Sequence, residues 1–316
     1  MMKQEAGRRT ETRARVLVAT LALIALPVVV VPIEAVSFYA ANRDNGSFFS
    51  SGERREYLVY VPKSYDRSKP TPLVISMHGA GLWGAAQKDM SQFNRVADRE
   101  GLIVVYPSGV GGKGIRVWRE EEGPGLSRDV RFISELIDTL EAHYNIDATR
   151  IYANGLSNGG GMSFVLSCTL SRRIAAVGLV ASAQLLPFTW CTDRRPVPMI
   201  NFHGTSDPEA PYKGGSSWVA PGKTGFANQL TWTASWARRN RCAPTPRDSM
   251  IAVDVTRRVY ANCANNADVQ LYTVHGGGHT WPGGGHHPEW FVGRMSHSID
   301  ASQVMWEFFR DHPLKN

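Results

Sequence analysis

The sequence predicts a doubly wound α/β domain, that is, a mostly parallel β-sheet with helices on both faces. Uninterrupted apolar runs alternate with segments whose apolar residues recur at helical spacing, and this βαβ rhythm is typical of a parallel sheet. Strands that are apolar on both sides need helices to cover both faces. The chain has no heptad run and no repeat of fixed length, which excludes coiled-coil and solenoid folds.

Seven segments have the composition and length of strands: Tyr57–Pro62, Leu73–Met77, Leu102–Tyr106, Arg150–Asn154, Ala176–Ala181, Pro198–Phe202 and Val269–Val274. Four further segments have helical periodicity: 128–143, Asn158–Leu170, Gln229–Arg239 and Ala301–Arg310. In the first of these helices, Ser127 is the predicted N-cap. The region 205–226 is rich in Gly, Pro and Ser, and we expect it to be a long surface loop.

The N-terminus has the pattern of an export signal. The first fifteen residues contain five basic and two acidic side chains, and residues 16–33 then contain no charge. A basic segment before an apolar stretch is typical of a secretory signal or a signal anchor, with the remainder of the chain outside the cytoplasm. Cleavage after Ala35 and an uncleaved membrane anchor are the two alternatives. We expect residues 1–40 to be this targeting segment and residues 41–316 to be one domain, periplasmic, secreted or anchored to the membrane.

The four cysteines all lie beyond the targeting segment. An even number of cysteines in an exported protein predicts two disulfides. Of the three arrangements that four cysteines allow, we expect nearest-neighbour pairing, Cys168–Cys191 and Cys242–Cys263. A zinc site is the alternative, but no two cysteines lie two to four residues apart, as zinc sites commonly require.

Of the net charge of +7, the first fifteen residues contribute +3 and the other 301 residues contribute +4, so the main part of the sequence is only mildly basic. It has no stripe of Lys and Arg interleaved with aromatic residues, so we expect no nucleic-acid partner. We expect a monomer that meets a membrane only through an uncleaved N-terminal anchor.

The segment Gly155-Leu156-Ser157-Asn158-Gly159 follows a predicted strand and opens a predicted helix. A G-x-S-x-G motif in this position is typical of a nucleophile elbow, which projects the serine hydroxyl at the carboxyl edge of the sheet. The helix N-terminus behind the serine favours an oxyanion. We therefore predict that Ser157 is a nucleophile; the alternative is a Gly-rich structural turn with an incidental serine.

A serine hydroxyl needs a base, and His279 is the predicted one. It lies in a Gly-rich loop directly after the strand Val269–Val274. The competing histidines are His275, which ends that strand, and three in a later loop, His286, His287 and His297. Four of these histidines, His275, His279, His286 and His287, also suggest a metal site, but their irregular spacing argues against one. Acyl transfer by a serine nucleophile and a histidine base requires no cofactor, and we expect none.

The acid that orients the base is predicted to be Asp207, which follows the strand Pro198–Phe202. Its role would be to accept a hydrogen bond from the histidine and fix its tautomer. Asp254 and Glu209 are the alternatives, and an ordinary turn-forming role for Asp207 is a further one.

An oxyanion hole requires backbone N–H groups rather than particular side chains. The N–H of Asn158 follows the nucleophile, and the loop 78–81 follows an early strand, where the second donor is expected. Ala80 is the predicted second donor, and Gly81 is the alternative.

These residues together resemble the secreted esterases that include polyhydroxybutyrate depolymerases and feruloyl or acetylxylan esterases, a branch of the α/β-hydrolase superfamily. Four stretches carry the resemblance: SMHGAG at 76–81, YNIDATRIYANGLSNGGGM at 144–162, NFHGTSDPEAPYKGG at 201–215 and GGGHTWPGG at 276–284. It covers roughly residues 50–310 and implies the α/β-hydrolase fold. It also implies ester hydrolysis by Ser157, Asp207 and His279, and a disulfide between Cys242 and Cys263.

The resemblance implies an ester substrate, either a polyhydroxyalkanoate-type polyester and its oligomers or feruloyl and acetyl esters of plant polysaccharide. Trp83 and Trp281 are expected to flank the acyl pocket, the alternative being that each is simply packed. The chain departs from the family at Arg128-Asp129, where paired acids are frequent, and we expect no lid domain and no separate polymer-binding module. Two rival functions remain: a serine peptidase of the same fold, and a non-catalytic exported binding protein on a hydrolase scaffold.

Overall fold

The computed structural model describes residues 44–112, 115–119, 124–182, 186–216 and 226–315. The expected targeting segment, residues 1–40, lies outside these ranges. Within them, none of the helices combines the length and the apolar character that crossing a bilayer requires.

The described strands, in chain order, are Gly46–Ser50 (β1), Glu53–Tyr60 (β2), Thr71–Met77 (β3), Ile103–Pro107 (β4), Val110–Gly112 (β5), Ile115–Val117 (β6), Ile146–Leu156 (β7), Val177–Val180 (β8), Met199–Gly204 (β9), Arg247–Ala252 (β10), Val255–Tyr260 (β11) and Val269–Val274 (β12). All but β5 and β6, which form a separate hairpin, join one sheet in the order β1-β2-β4-β3-β7-β8-β9-β12-β11-β10.

The inner strands, from β4 to β12, run parallel to one another, whereas the strands at both edges pair antiparallel. This division follows from composition. Every residue of β3 is buried, as expected for a parallel strand that helices cover on both faces, whereas β10 keeps most of its side chains exposed.

The described helices are Gly84–Ser91 (α1), Phe93–Glu100 (α2), Pro124–His143 (α3), Asn158–Thr169 (α4), Gln229–Arg239 (α5), Glu289–Val292 (α6) and Ala301–Arg310 (α7). Two apolar layers separate them from the sheet. Residues of α3, α4 and α5 pack in one layer, and residues of α2 and α7 pack in the other. The prediction of a doubly wound α/β domain with helices on both faces is therefore confirmed.

The predicted core elements match the structure closely, and the helices Gln229–Arg239 and Ala301–Arg310 have the predicted bounds. The edge strands and the short helices α1, α2 and α6 were not predicted, because their mixed polarity lacks a long periodic pattern. The N-cap assignment of Ser127 is wrong. Helix α3 begins at Pro124, a residue that suits the first helical turn, so Ser127 lies inside the helix.

All four cysteines form disulfides, Cys168–Cys191 and Cys242–Cys263. This is the nearest-neighbour arrangement. The first bond ties the end of α4 to the loop after β8, and the second ties the segment after α5 to the segment after β11. All four sulfur atoms are used in these bonds, so neither cysteine pair is available to bind a metal.

Candidate active site

The predicted site residues lie at the carboxyl ends of four parallel strands. Ser157 follows β7, Asp207 lies three residues after β9, His279 lies five residues after β12, and the loop that begins at His78 follows β3. The pairing register places the last residue of β3, Met77, opposite Gly155 near the end of β7, and it aligns the last residues of β9 and β12. All four loops therefore emerge at the same edge of the sheet, where ligands bind in open α/β folds.

Ser157 occupies a sharp turn between β7 and α4. Its backbone has φ 53° and ψ −119°, a sparsely populated conformation that costs about 1–3 kcal/mol and persists only where surrounding structure enforces it. The Ser157 N–H donates to the carbonyl of Val180 at 2.8 Å, and its carbonyl accepts from the Gly161 N–H at 3.0 Å. These bonds to a neighbouring strand and to the helix hold the serine in place.

Glycine is required at Gly159 because the first turn of α4 abuts the end of β3. A Cβ on Gly159 would lie 2.2 Å from the carbonyl oxygen of Met77 and 2.7 Å from that of His78. Both are backbone atoms that cannot move without displacing the loop after β3. A Cβ on Gly79 would in turn lie 3.5 Å from the Cβ of Ser157. The close approach of helix and strand therefore brings this loop beside the serine.

Two backbone N–H groups are suited to bind an oxyanion there. The N–H of Asn158 belongs to the first turn of α4, where intrahelical acceptors are lacking. In the loop after β3, the Gly81 N–H already donates to the carbonyl of Arg116 at 2.8 Å. The Ala80 N–H has no acceptor among the described residues. Ala80 is therefore the better candidate of the two that the sequence left open.

The Asn158 side chain has a separate task, because it binds the backbone of Trp118. Its Oδ1 accepts from the Trp118 N–H at 2.6 Å, and its Nδ2 donates to the Trp118 carbonyl at 2.9 Å. The Trp118 indole N–H donates in turn to the carbonyl of His78 at 3.0 Å. This chain of contacts ties the segment after the β5–β6 hairpin to both sides of the candidate oxyanion hole.

Asp207 and His279 are in direct contact. The Nδ1 of His279 lies 2.9 Å from Asp207 Oδ2 and 3.1 Å from Oδ1, and both side chains are buried. Asp207 Oδ1 also accepts from the N–H groups of Glu209 and Ala210, each at 2.8 Å. The carboxylate is therefore fixed by its own loop before it meets the histidine.

A second histidine, His203 at the end of β9, supports the same carboxylate. Its Nε2 lies 3.3 Å from Asp207 Oδ2 and donates to the carbonyl of Ala210 at 2.7 Å. Burial alone would raise the pKa of Asp207, but the hydrogen bonds from His203 and His279 outweigh it and hold the pKa well below its usual range. Asp207 is therefore ionised at neutral pH. His203 was not among the predicted site residues, although its place directly after a predicted strand was a usable signal.

Asp207 is not the only carboxylate that His279 meets. The Nε2 of His279 lies 3.5 Å from Glu209 Oε2. Burial lowers the pKa of His279, but the hydrogen bond and charge of Asp207 and the charge of Glu209 together raise it above its ordinary value. The backbone N–H of His279 donates to the carbonyl of Val292 at 2.6 Å, which anchors the loop to α6.

The structure does not join Ser157 to His279 by a hydrogen bond, and within the described residues the Ser157 Oγ has no such partner. Catalytic hydrogen bonds are often long in free enzymes and shorten only around a bound substrate. The structure therefore brings together the acid and the base that were predicted, and it places the serine at the same sheet edge without a bond to either.

The competing residues have other partners. His275 pairs with the Thr256 hydroxyl at 2.8 Å. His287 is buried and bonds the carbonyl of Gly285 at 2.8 Å, and burial is the main reason its pKa is lowered. Asp254 bonds Arg294 at 2.9 Å. His286 and His297 are exposed. In the described part of the chain, no group of three or more His, Cys, Asp or Glu is arranged to hold a metal ion.

One expected pocket residue is a core residue instead. Trp281 has 0% exposure, and its indole N–H donates to the Ser302 hydroxyl at 3.0 Å, so it presents no face to a substrate. This expectation was wrong because a tryptophan beside a catalytic loop packs inward as readily as outward. Trp83 is partly exposed.

The aromatic residues that do face solvent near His279 were missed. Trp290 is 89% exposed and Phe291 is 47% exposed, with ring centroids 5.7 Å apart. Both belong to α6, whose Val292 carbonyl accepts from the His279 N–H. Two adjacent aromatic residues in a segment otherwise rich in polar residues and glycine were the available signal. We call Trp290 and Phe291 the aromatic pair.

The chain is similar to several known esterases. The family model described as Esterase PHB depolymerase matches residues 55–186. Feruloyl esterase B from Piromyces equi is 31% identical over 229 residues, which is 71% of this chain, but the chain spans only 42% of that protein. Feruloyl esterase D from Neurospora crassa is 29% identical over 242 residues, covering 72% of this chain and 75% of that protein.

Among solved structures, an acetyl xylan esterase from Aspergillus awamori superimposes with a TM-score of 0.60. The match covers 81% of this chain and 94% of that one, at 15% sequence identity. At this identity the likeness is one of fold alone, and it confirms the α/β-hydrolase fold that the sequence predicts.

Proposed function

We propose that this chain is a carboxylic ester hydrolase of the PHB depolymerase and feruloyl esterase family, with a Ser157, His279 and Asp207 triad. The family model over residues 55–186 and the feruloyl esterase relatives support the family resemblance that the sequence predicts.

The contact between Asp207 and His279 carries the proposal. A buried, ionised carboxylate on Nδ1 fixes the tautomer in which Nε2 has a free lone pair. Such an imidazole can accept a proton from a hydroxyl at the same sheet edge. Ser157 is the candidate hydroxyl there, because it stands on a strained turn with N–H groups beside it.

Acylation would begin when Nε2 of His279 takes the proton from Ser157 Oγ as the oxygen attacks the ester carbonyl. The N–H groups of Asn158 and Ala80 would hold the oxyanion of the tetrahedral intermediate. The protonated His279 would then give its proton to the leaving alcohol. Asp207 stays ionised throughout and stabilises the imidazolium.

Deacylation would repeat these steps with water. His279 removes a proton from the water as it attacks the acyl-enzyme, the same two N–H groups hold the second oxyanion, and the proton returns to Ser157 as the acid leaves. These residues complete both half-reactions without a cofactor.

For the substrate, we propose feruloyl or acetyl esters of plant polysaccharide or polyhydroxyalkanoate-type polyesters and their oligomers. The relatives are named feruloyl esterases, and the matching family is described as PHB depolymerase. The aromatic pair beside the His279 loop favours an aromatic acyl group or an apolar polymer face, since exposed aromatic residues bind such surfaces. A panel of methyl ferulate, acetylated xylan and short hydroxyalkanoate oligomers would rank them by kcat/KM.

We also propose that the protein is exported and monomeric. The basic and then apolar N-terminus and the two disulfides support export, and any membrane contact would come from an uncleaved N-terminal anchor. Fractionation of the producing cells, with N-terminal sequencing of the exported form, would test this.

The triad is tested with Ser157→Ala. We expect hydrolysis of a p-nitrophenyl ester to fall by about 10⁴-fold or more, and labelling by a fluorophosphonate, which reacts with activated serines, to disappear. Ser206→Ala is the matched control, because Ser206 is an exposed serine in the Asp207 loop. This variant should keep both the ester hydrolysis and the labelling by the fluorophosphonate. Near-normal turnover by Ser157→Ala would refute the assignment.

The same reagents separate the two rivals. A serine peptidase of this fold would cleave the amide as well as the matching ester, whereas we expect hydrolysis of the ester and no measurable cleavage of the amide. A binding protein on a hydrolase scaffold would fail to react with the fluorophosphonate.

A further inference from the structure

We propose that Glu209 is a positioning residue that binds the Nε2 side of protonated His279 and so sets the lower pH limit of catalysis. This inference rests on the proposed function, because it concerns the nitrogen that would exchange protons with Ser157. Its basis is the geometry of one imidazole ring held between two carboxylates.

The two carboxylates occupy opposite nitrogens of the ring. Asp207 Oδ2 lies 2.9 Å from Nδ1, and Glu209 Oε2 lies 3.5 Å from Nε2. All three side chains are largely removed from water, with exposures of 0% for Asp207, 6% for His279 and 16% for Glu209. Water therefore screens these charges far less than it would at the surface.

The turn that Asp207 builds explains why Glu209 is there. Asp207 Oδ1 accepts from the Glu209 N–H at 2.8 Å, which closes a local turn and fixes the Glu209 backbone two residues further along the chain. The Glu209 side chain then reaches the far nitrogen of the ring that Asp207 holds by the near one. One short loop therefore supplies both carboxylates.

The two protonation states of His279 respond to Glu209 in opposite ways. In the neutral ring, Nδ1 carries the proton toward Asp207, and Nε2 presents a lone pair to a carboxylate that has no hydrogen to share. In the imidazolium, Nε2 carries a proton and faces an acceptor of opposite charge. Glu209 therefore favours the protonated ring, which cannot act as a base.

Other titratable side chains also lie in the loops around His279. His203 reaches it only through Asp207. His286 and His287, from the loop that follows His279, carry no negative charge, and the charge of His279 lowers the pKa of His287. Glu209 is thus the described acidic group that faces Nε2, and its contribution has the same sign as that of Asp207.

The same contact has a second consequence in the reaction. During each half-reaction His279 is transiently protonated, and Glu209 would stabilise that state while it stands next to the site of the leaving alcohol. Removal of its charge should therefore extend activity to lower pH and reduce the limiting rate at high pH.

The test is the pH profile of Glu209→Gln, which keeps the size of the side chain and removes its charge. We expect the acidic limb of kcat/KM to move down by about one pH unit, with activity at pH 5 about tenfold above that of the unmodified protein. The high-pH plateau should fall by about two- to fivefold. Glu209→Asp should restore part of the shift.

Glu289→Gln is the matched control, since Glu289 is an exposed acid of α6 in the same region. We expect its profile to overlay that of the unmodified protein. A lower plateau for Glu209→Gln with an unmoved acidic limb would overturn the proposal, because a merely structural role reduces activity equally at all pH values.

A titration by NMR makes the outcome independent of catalysis. The imidazole of His279, followed by its ring resonances, should have a lower midpoint in Glu209→Gln than in the unmodified protein. An unchanged midpoint would overturn the role of Glu209 even if ester hydrolysis is normal. A lowered midpoint in a protein without esterase activity would instead support this role and refute the proposed function.

Discussion

The two halves of the candidate site each contain a buried histidine, and the two rings are held in opposite ways. His78 lies in the serine half, in the loop after β3, and has 0% exposure. Its Nε2 accepts from the Gly109 N–H at 2.9 Å, and its Nδ1 bonds the Gly79 carbonyl at 2.7 Å. His279 lies in the other half and faces carboxylates from both sides.

Burial disfavours the charged form of both rings, but the partners decide the outcome. With only backbone groups on its two nitrogens, burial lowers the pKa of His78 to about 4. For His279, the carboxylates overcome burial and the pKa is raised. The serine half is therefore built from main-chain contacts that do not titrate near neutral pH, and the other half is the pH-sensitive part of the site.

The largest effect is expected from a substitution in the half of the site that contains His279. Asp207→Asn should lower turnover by about 10⁴-fold, because the amide would donate to Nδ1 and leave the ring proton on Nε2. Circular dichroism and thermal unfolding should show a folded protein, since the amide oxygen can still accept from Glu209 and Ala210. Ester hydrolysis under saturating substrate measures the effect.

The contradictory outcome for Asp207→Asn is also informative. A loss of tenfold or less would mean that Asp207 does not orient the base. Glu209 would then be the next candidate, because it is the other described carboxylate in contact with His279. The double variant with Glu209→Gln would decide the matter.

The second prediction disturbs the main-chain contacts of the serine half. In Gly159→Ala the new Cβ would meet the Met77 carbonyl at 2.2 Å. We expect a loss of about 3 kcal/mol in the free energy of unfolding and a loss of about 10²-fold in turnover, because the loop of Ala80 must move. Urea unfolding and ester hydrolysis measure the two.

The control for that variant is Gly111→Ala, in the β5–β6 hairpin. A Cβ there would have its nearest neighbour at 3.5 Å, an ordinary contact, so the free energy of unfolding should change by less than about 0.5 kcal/mol. If Gly159→Ala were as mild as this control, the close approach of α4 to β3 would not be what holds the serine half.

Much of this arrangement could be predicted from the sequence. Buried parallel strands are apolar throughout, so their ends can be located, and residues just beyond them meet at one edge. This reasoning predicted that Asp207 and His279 meet at one sheet edge, and Asp207 Oδ2 lies 2.9 Å from His279 Nδ1. It could not predict that Glu209 faces Nε2, because this depends on a turn closed by an Asp207 hydrogen bond.

The inward packing of Trp281 could not be predicted from the sequence either. Its loop motif was clear, but the direction of its side chain depends on Ser302, which is distant in the chain. The same holds for His203. The end of its strand was predicted from the sequence, but its contact with Asp207 was not. Strand ends are set by local composition, whereas side-chain directions in loops are set by partners from other segments.

The smallest predicted effect concerns His78 and the dependence of stability on pH. A histidine with a pKa of about 4 in the folded protein and about 6.5 when unfolded binds fewer protons when folded. Its contribution is therefore fully present above pH 6.5 and is lost as the pH falls toward 4. Between pH 7.5 and pH 5, the loss should be about 2 kcal/mol.

His279 acts with the opposite sign, since its raised pKa contributes stability that is present below pH 6.5 and lost as the pH rises. The His78 contribution is isolated by comparing the free energy of unfolding at the two pH values in the unmodified protein and in His78→Asn. We expect the unmodified protein to lose about 2 kcal/mol more than the variant on acidification. Equal losses would mean that His78 titrates freely, and the serine half would then be pH-sensitive as well.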